Sequence, residues 1–294
     1  MRNILLRNPE PIAPEPVPEG TLSELQEFIA NHPRLFVITG AGISCESGIP
    51  AYRDTKGNWQ SRTPVQHSDF MSDPASRQSY WMRSFYGWPT VANAQPNQAH
   101  RALVRLEELG YIQTLVTQNI DRLHQKAGQK HVVDLHGRLD QVICMECDAL
   151  HSRNDIQHWL REHNPRLEDL VAEPAPDGDA HIQDTLVHKL RIPNCPRCGG
   201  LLKPNVVFYG GSVEAKMIKH LSKILEQVDA LLAVGTSLMV YSSYRFCKQA
   251  RQMNIPLLCI NEGLTRADNL FALKLADDCT DILNGLSQSL PQLN

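Results

Sequence analysis

The chain has 294 residues, 42% of them hydrophobic and 21% charged, with a net charge of -3 at pH 7. That length supports one large domain or two unequal ones, and the composition is that of an ordinary soluble globular enzyme. The charge balance lacks the basic footprint of a nucleic-acid or membrane-surface binder, no apolar run approaches the ~18 residues of a membrane span, and Met1 to Gly20 carries no signal-peptide core, so a cytoplasmic protein is expected.

Pro9 to Pro18 is a proline-rich lead with alternating acids, expected to be extended rather than packed. Thr21-Leu22-Ser23-Glu24 then reads as a capped helix start, with Leu22, Leu25, Phe28 and Ile29 at helical spacing. Arg34 to Thr39 is a short β-branched and aromatic run bounded by Pro33 and Gly40, the pattern of a buried strand. It runs into Gly40-Ala41-Gly42-Ile43-Ser44-Cys45, a turn into a helix that Ser47-Gly48-Ile49-Pro50 closes after about two turns. Glycines without a Cβ let a backbone approach a diphosphate, and the helix start favours the anion. A hydride-transferring dehydrogenase wants a third glycine three residues further on, and Cys45 stands there. Ile49, Tyr52, Arg53 and Asp54 follow in a loop placed to cover the far end of a long ligand.

From Thr63 to Ala94 the aromatics Phe70, Tyr80, Trp81, Phe85, Tyr86 and Trp88 suggest short helices with a small core of their own. Gln98 to Leu109 is an amphipathic helix ended by Gly110, and the strand Tyr111 to Thr117 follows it. That strand ends in Gln118-Asn119-Ile120-Asp121, and a third strand, His131 to Leu135, ends in His136-Gly137. Polar clusters at the carboxyl ends of successive strands are where open α/β sheets bind ligands. An Asp or Asn there could hold a carboxamide such as that of nicotinamide, and a neutral His136 would be a good general base.

Cys144-x-x-Cys147 and Cys195-x-x-Cys198 flank a polar insert, and Gly199-Gly200 supplies a tight knuckle after the second pair. Four thiolates around one zinc ion make a closed tetrahedral site with no place for water, so this metal should hold structure. The insert from Asp148 to Asn194 is longer than a compact zinc ribbon and is expected to add helices. The alternating pattern then resumes with a helix over Ser212 to Val228, a strand over Asp229 to Val234 ending in Gly235-Thr236-Ser237, a helix over Ser242 to Met253, and a strand over Ile255 to Ile260 ending in Asn261-Glu262-Gly263. Repetition of such turns at successive strand ends argues for one extended dinucleotide. The fold class expected is α/β, a Rossmann-type doubly wound parallel sheet in residues 21–139 and 204–294, with a helical insertion about 63–95 and a smaller zinc-binding module in residues 140–203.

These clusters together resemble the sirtuins, the NAD-dependent protein-lysine deacylases, in order from about Leu35 to Cys279. Lys203-Pro204-Asn205-Val206-Val207-Phe208-Tyr209-Gly210 belongs to the match, and Ala51-Tyr52-Arg53, Gly87-Trp88-Pro89 and Pro176-Asp177-Gly178-Asp179 look most like the class II branch. The resemblance implies that NAD and the acyl-lysine of a protein substrate meet in a cleft between the two modules. It assigns to the dinucleotide Gly40, Ala41, Gly42, Ser44, Pro50, Tyr52, Arg53, Trp59, Gly235, Thr236, Ser237, Asn261, Glu262 and Gly263, with Cys279 near the adenine. Gln118 and Asn119 fall on the ribose side, and Ile49, Ile120 and Asp121 by the nicotinamide. The acyl oxygen would attack the ribose carbon as nicotinamide leaves, with His136 as base and Asn119 as its catalytic neighbour. Val206, Val207, Phe208, Tyr209 and Gly210 resemble an edge that pairs with the substrate backbone. The chain reads Tyr209-Gly210-Gly211 where the family usually has Phe-Gly-Glu, and Trp59 and Arg62 share the spacing of a Tyr and Arg pair that meets acidic acyl groups, which makes Arg62 a substrate-side candidate.

Two other readings use the same residues. Transfer of ADP-ribose to a protein nucleophile would leave His136 and the acyl channel without a role. A non-catalytic NAD-sensing interaction module would leave Asn119, Asp121 and His136 unexplained together.

Overall fold

In the computed structural model, the described residues are 19–58, 60, 64–169, 173–181 and 190–293. The proline-rich lead, Trp59 and Arg62 lie outside them.

The chain enters through α1 (Leu22–Asn31), whose Thr21 cap and Glu24 reciprocate in a capping box. Strand β1 (Leu35–Thr39) follows, then a seven-residue 3₁₀ helix over Ala41–Ser47 closed by Gly48 at φ 82°. After the loop come α2 (His67–Ser72) and α3 (Pro74–Asn93). Short helices were expected between Thr63 and Ala94 from the spacing of the aromatics; instead α3 is one helix of 20 residues that runs through Gly87 and Pro89. Asp73 caps its start, accepting from the amides of Ala75 and Ser76. Pro89 cannot donate to the carbonyl of Phe85 four residues back, and the side chain of Gln157 donates to that oxygen at 2.8 Å instead.

Next are α4 (Gln98–Glu108), β2 (Ile112–Thr117), the short α5 (Leu123–Ala127) and β3 (Val132–Asp134). The small module contributes β4 (Gly137–Cys144), β5 (Leu150–Ser152), α6 (Arg153–His163), the hairpin β6 (Glu173–Ala175) and β7 (Asp179–His181), and β8 (Leu202–Val206). The insert thus adds a helix, as expected, and a hairpin that the sequence did not suggest. The remaining elements are α7 (Ala215–Leu225), β9 (Ala230–Val234), α8 (Tyr241–Gln252), β10 (Leu257–Ile260), β11 (Leu273–Leu275) and α9 (Cys279–Ser289).

Six strands form one parallel sheet in the order β11-β10-β9-β1-β2-β3, the doubly wound arrangement expected. Strand β1 is buried throughout and apolar up to its last residue, Thr39, because both its faces are covered. Leu35 and Val37 pack with Leu25, Leu103 and Leu283 of α1, α4 and α9, while Phe36 and Ile38 pack with Leu221 and Phe246 of α7 and α8. The chain crosses from one side of β1 to the other, and that reversal opens a crevice at the carboxyl ends of β1 and β9. Register levels those ends: Thr39 pairs with Thr117 and Val234, Val234 with Ile260, and Thr117 with Asp134. The residues that follow each strand therefore emerge along one edge.

The second sheet, β5-β4-β8, is antiparallel, and it pairs from Gly137 opposite Val206 to Cys144 opposite Leu202, so its strands pass beyond both ends of the 140–203 interval. Phe70 and Trp81 of α2 and α3 share a core with Val142, Ile156, Leu160 and Leu202, which joins the helical segment to this module. No helix among the described residues is long and apolar enough to cross a membrane.

Candidate active site

The turns after β1 and β9 are packed onto each other. The amide of Gly42 donates to the carbonyl of Gly235 at 2.9 Å. A Cβ on Gly42 would stand 2.8 Å from that oxygen, and one on Gly40 would stand 2.7 Å from Cβ of Thr236. The close approach for which these glycines were read is thus made first by the protein's own backbone, turn against turn.

Gln118 ties the edge together. Its Nε2 donates to Thr39 O at 3.2 Å and to Thr236 Oγ1 at 2.8 Å, while its Oε1 accepts from Ser243 Oγ at 2.8 Å. Asn119, nearly buried, donates through Nδ2 to Gly40 O and Ser44 Oγ, both at 3.0 Å. Ser44 Oγ in turn donates to Asp121 Oδ2 at 2.7 Å, and Asp121 Oδ1 accepts from the amide of Leu123 at 2.9 Å. Burial pushes the Asp121 carboxyl upward.

His136 follows β3 directly. Its Nδ1 lies 3.1 Å from the carbonyl of Gln118, which can only accept, so Nδ1 carries the proton and Nε2 keeps its lone pair. Nε2 accepts from Ser242 Oγ at 2.7 Å. Burial lowers this imidazole to about 4, so it is neutral at physiological pH. His124 is a different case: it lies buried behind the edge, 2.9 Å from Thr39 Oγ1, and does not reach the cavity.

A cavity of about 870 Å³ opens in front of this edge. Gly40, Ala41 and Gly42 line it with Gln118, Asn119 and Ile120, and His136 stands beside them. Gly235, Thr236 and Ser237 form the next part of the wall, followed by Asn261, Glu262, Gly263 and Cys279. Asn261 Nδ2 donates to Gly263 O at 2.8 Å, and Thr55 lies so close to Gly263 that a Cβ there would stand 2.7 Å from its carbonyl. Cys279 is the first residue of α9, with its thiol pushed up to about 12 by burial. Tyr52 and Arg53 close the loop side, where Arg53 Nη1 donates to Gly57 O at 2.7 Å.

Four expected residues are not on this wall. Ser44 and Asp121 stand one layer behind it as described, Ile49 packs among Trp88, Val91 and Ile120, and Pro50 is exposed. Trp59 and Arg62 are outside the described residues.

The opposite wall comes from the second sheet. Val206, Val207, Phe208, Tyr209 and Gly210 all line the cavity, but β8 ends at Val206, so the expected edge strand is strand only at its start. The amide of Val207 donates to His136 O at 2.8 Å, and Gly211 donates back to Phe208 O at 2.9 Å, which turns the chain. Phe208 is held between the rings of Phe70 and Tyr80, each 5.1 Å away.

Away from the cavity, the sulfurs of Cys144, Cys147, Cys195 and Cys198 lie within 4.8 Å of one another, with Cys144 to Cys198 at 3.4 Å and Cys147 to Cys195 at 3.8 Å. Four sulfurs at zinc bonding distance on a tetrahedron are about 3.8 Å apart, so this donor set fits one zinc ion with no coordination position left over. His151 Nε2 lies 3.5 Å from Cys195 Sγ, where it can orient that ligand.

Sequence reasoning missed Ser242 and Ser243, which touch His136 and Gln118. The available signal was their place at the start of a helix, just beyond the turn Gly235-Thr236-Ser237.

Residues 40–242 match the Sir2 family. The chain is 48% identical over 267 residues to an NAD-dependent protein deacetylase of Xanthomonas axonopodis pv. citri, covering 91% of each chain. It is 44% identical over 276 residues to the mitochondrial NAD-dependent protein lipoamidase sirtuin-4 of Bos taurus, covering 93% of this chain and 86% of that one. Among solved structures, a Sir2 homologue in complex with NAD superposes with a TM-score of 0.71 at 27% identity, over 94% of this chain and 96% of the other. A Sir2 variant bound to a p53 peptide and NAD superposes with a TM-score of 0.72 at 25% identity, over 92% and 98%.

Proposed function

The chain belongs to the Sir2 family, and from that premise we infer its reaction: it is an NAD-dependent protein-lysine deacylase. The acyl group of an acyl-lysine passes to ADP-ribose and one water is consumed, with release of nicotinamide and the free lysine. NAD, when bound, supplies the ribose carbon that accepts the acyl oxygen.

The observation that carries this reading is His136, a neutral base with Nε2 unprotonated, set where the two walls of the cavity meet. On that reading Nε2 takes a proton from a ribose hydroxyl, and Ser242 holds the ring in place until the substrate arrives. Asn119, fixed by Gly40 O and Ser44, presents its amide beside the same point. The glycine turns and the Thr236-Ser237 turn hold the phosphates and riboses, and Cys279 lies toward the adenine. Phe208 and its neighbours exclude water from the acyl-lysine. The cysteine cluster holds one zinc and takes no part in the chemistry.

Acylated proteins are the substrates this reading requires, entering along Val206–Gly210. The class II branch is part of the proposal. Two of its three motifs touch, since Gly87 of α3 has no room for a Cβ against the backbone of Gly178 and Asp179. The modular division into 21–139 with 204–294 and 140–203, and a cytoplasmic location, are likewise carried as proposals.

The test is nicotinamide release with NAD and one lysine peptide bearing acetyl, succinyl, glutaryl, long fatty or lipoyl groups. Acyl-dependent release, with one free lysine formed per nicotinamide, is expected. ADP-ribosylated protein without deacylation would replace this reading by the transferase.

A further inference from the structure

Carboxylates gather at one end of the cavity wall, where Arg53 also stands. Asp54, Glu262, Asp277 and Asp278 line it with Gly263 and Cys279, at the end read as the adenine side. Asp179 lines it elsewhere and is paired with Arg83 at 2.8 Å. The mouth beside His136 is different. There Met239, Val240, Tyr241, Ser242 and Arg245 line the wall, and Gly210, Gly211 and Ser212 opposite carry no carboxylate.

Tyr241, Tyr244, Arg245 and Lys248 recur at helical spacing on one face of α8, leading outward from the mouth. Tyr241 is half exposed. The guanidinium of Arg245 lies 5.2 Å from its ring centre, Lys248 Nζ 6.0 Å and the guanidinium of Arg266 5.9 Å, while Arg266 is also 4.5 Å from the ring of Tyr244. Arg266 is pinned by donating to Met239 O at 3.1 Å. Among the described residues no carboxylate pairs with any of the three cations, and Arg245 Nε is buried without a hydrogen-bond partner. Aromatic faces thus hold three cations together against their mutual repulsion, at the mouth of the cavity and in a chain whose net charge is negative.

We propose that the face formed by Tyr241, Arg245, Lys248 and Arg266 docks acidic residues flanking the acyl-lysine of the protein substrate. The proposal rests on the deacylase reading. That reading brings the modified lysine to His136, so the flanking residues must leave through this mouth. From Tyr241 to Lys248 the helix rises about 10 Å, which about three extended residues span. The acid therefore lies within about three residues of the acyl-lysine. On that reading the glycine turns meet the phosphates of the dinucleotide, which leaves an acidic peptide as the anion for these cations.

The test uses the full chain with its zinc and a fluorescein-labelled acetyl-lysine peptide carrying Glu, Gln or Lys singly at each of the three positions on either side. Binding is read by anisotropy without NAD, and NAD affinity and nicotinamide release are measured in parallel. The expected result is that at one or more positions Glu binds about five- to tenfold more tightly than Lys at low salt, that the ratio shrinks as salt rises, and that Arg245→Glu with Lys248→Glu inverts it. Should the double variant fold poorly, Lys248→Glu alone, at an exposed helix position, must still reduce the ratio. Equal binding within twofold at every position overturns the proposal, as does a charge preference that the variants leave unchanged. A loss confined to NAD affinity would assign the cations to the dinucleotide and overturn it equally. Absence of nicotinamide release with every acyl peptide would fail the deacylase reading, while anisotropy still scores the docking face.

Discussion

The two sheets that wall the cavity are held by different means. In the parallel sheet every residue of β1, β9 and β10 is buried, and two apolar cores cover its faces. In the second sheet β4 buries only Leu139, Val142 and Cys144 of its eight residues, and β5 is exposed at two of three. A sheet covered by helices on both sides is specified by its hydrophobic pattern. The second sheet leaves more of β4 and β5 uncovered, and the four thiols around one point add a local tie. The cavity depends on both, because His136 leaves the first sheet and Val206–Gly210 hangs from the second, joined where Gly137 pairs with Val206.

The largest expected effect separates these means. Removing zinc with a chelator, or making Cys147→Ser, withdraws a tie whose binding free energy is about 10 kcal/mol. Hydrogen exchange should then rise across β4, β5 and β8 while β1, β9 and β10 stay protected, and deacylation should be lost with NAD binding retained. Equal deprotection of both sheets would break the distinction. A smaller effect comes from the apolar side. Phe36→Ala should cost about 3 to 5 kcal/mol and lower the midpoint of thermal unfolding by roughly 10 °C, without the localised exchange seen on loss of the metal.

The smallest effect expected is nearly none. An ordinary histidine base would give kcat/KM an acid limb near pH 6.5. His136 is lowered to about 4 by burial, so it stays neutral well below that and no limb should be seen between about pH 5 and 7. Its effect on stability has the matching sign. The unfolded chain takes up the proton first, so the stability that goes with the neutral ring is whole above about pH 6.5 and is lost as the pH falls toward about 4. An acid limb near 6.5 would contradict the buried setting of this ring.

Much of this was legible in the residues. Strand ends were marked by Gly40, Gln118, His136, Gly235 and Asn261, because a buried parallel strand is apolar until it reaches the edge, and the edge is where polarity returns. The zinc site was legible because ligand spacing is local. What was not legible depends on contacts distant in sequence. Helix α3 runs through Pro89, and the carbonyl of Phe85 that this frees is taken up by Gln157, far away in the sequence. The glycines of the first turn were read as space for phosphate, and the packing of Gly42 on Gly235, almost 200 residues later, could not be seen beside it. The partnership of Ser242 with His136, and the cation face on α8, required knowing that this helix starts beside the end of β3.

The central claim is that His136, neutral and held between Gln118 and Ser242, is the base of an NAD-dependent deacylation. The most direct measurement compares acyl-dependent nicotinamide release by the native chain and His136→Ala at neutral pH, with NAD binding measured on both. A fall of about 10²- to 10⁴-fold in release, with NAD binding kept, is the predicted result. Release by the variant at the native rate would contradict it.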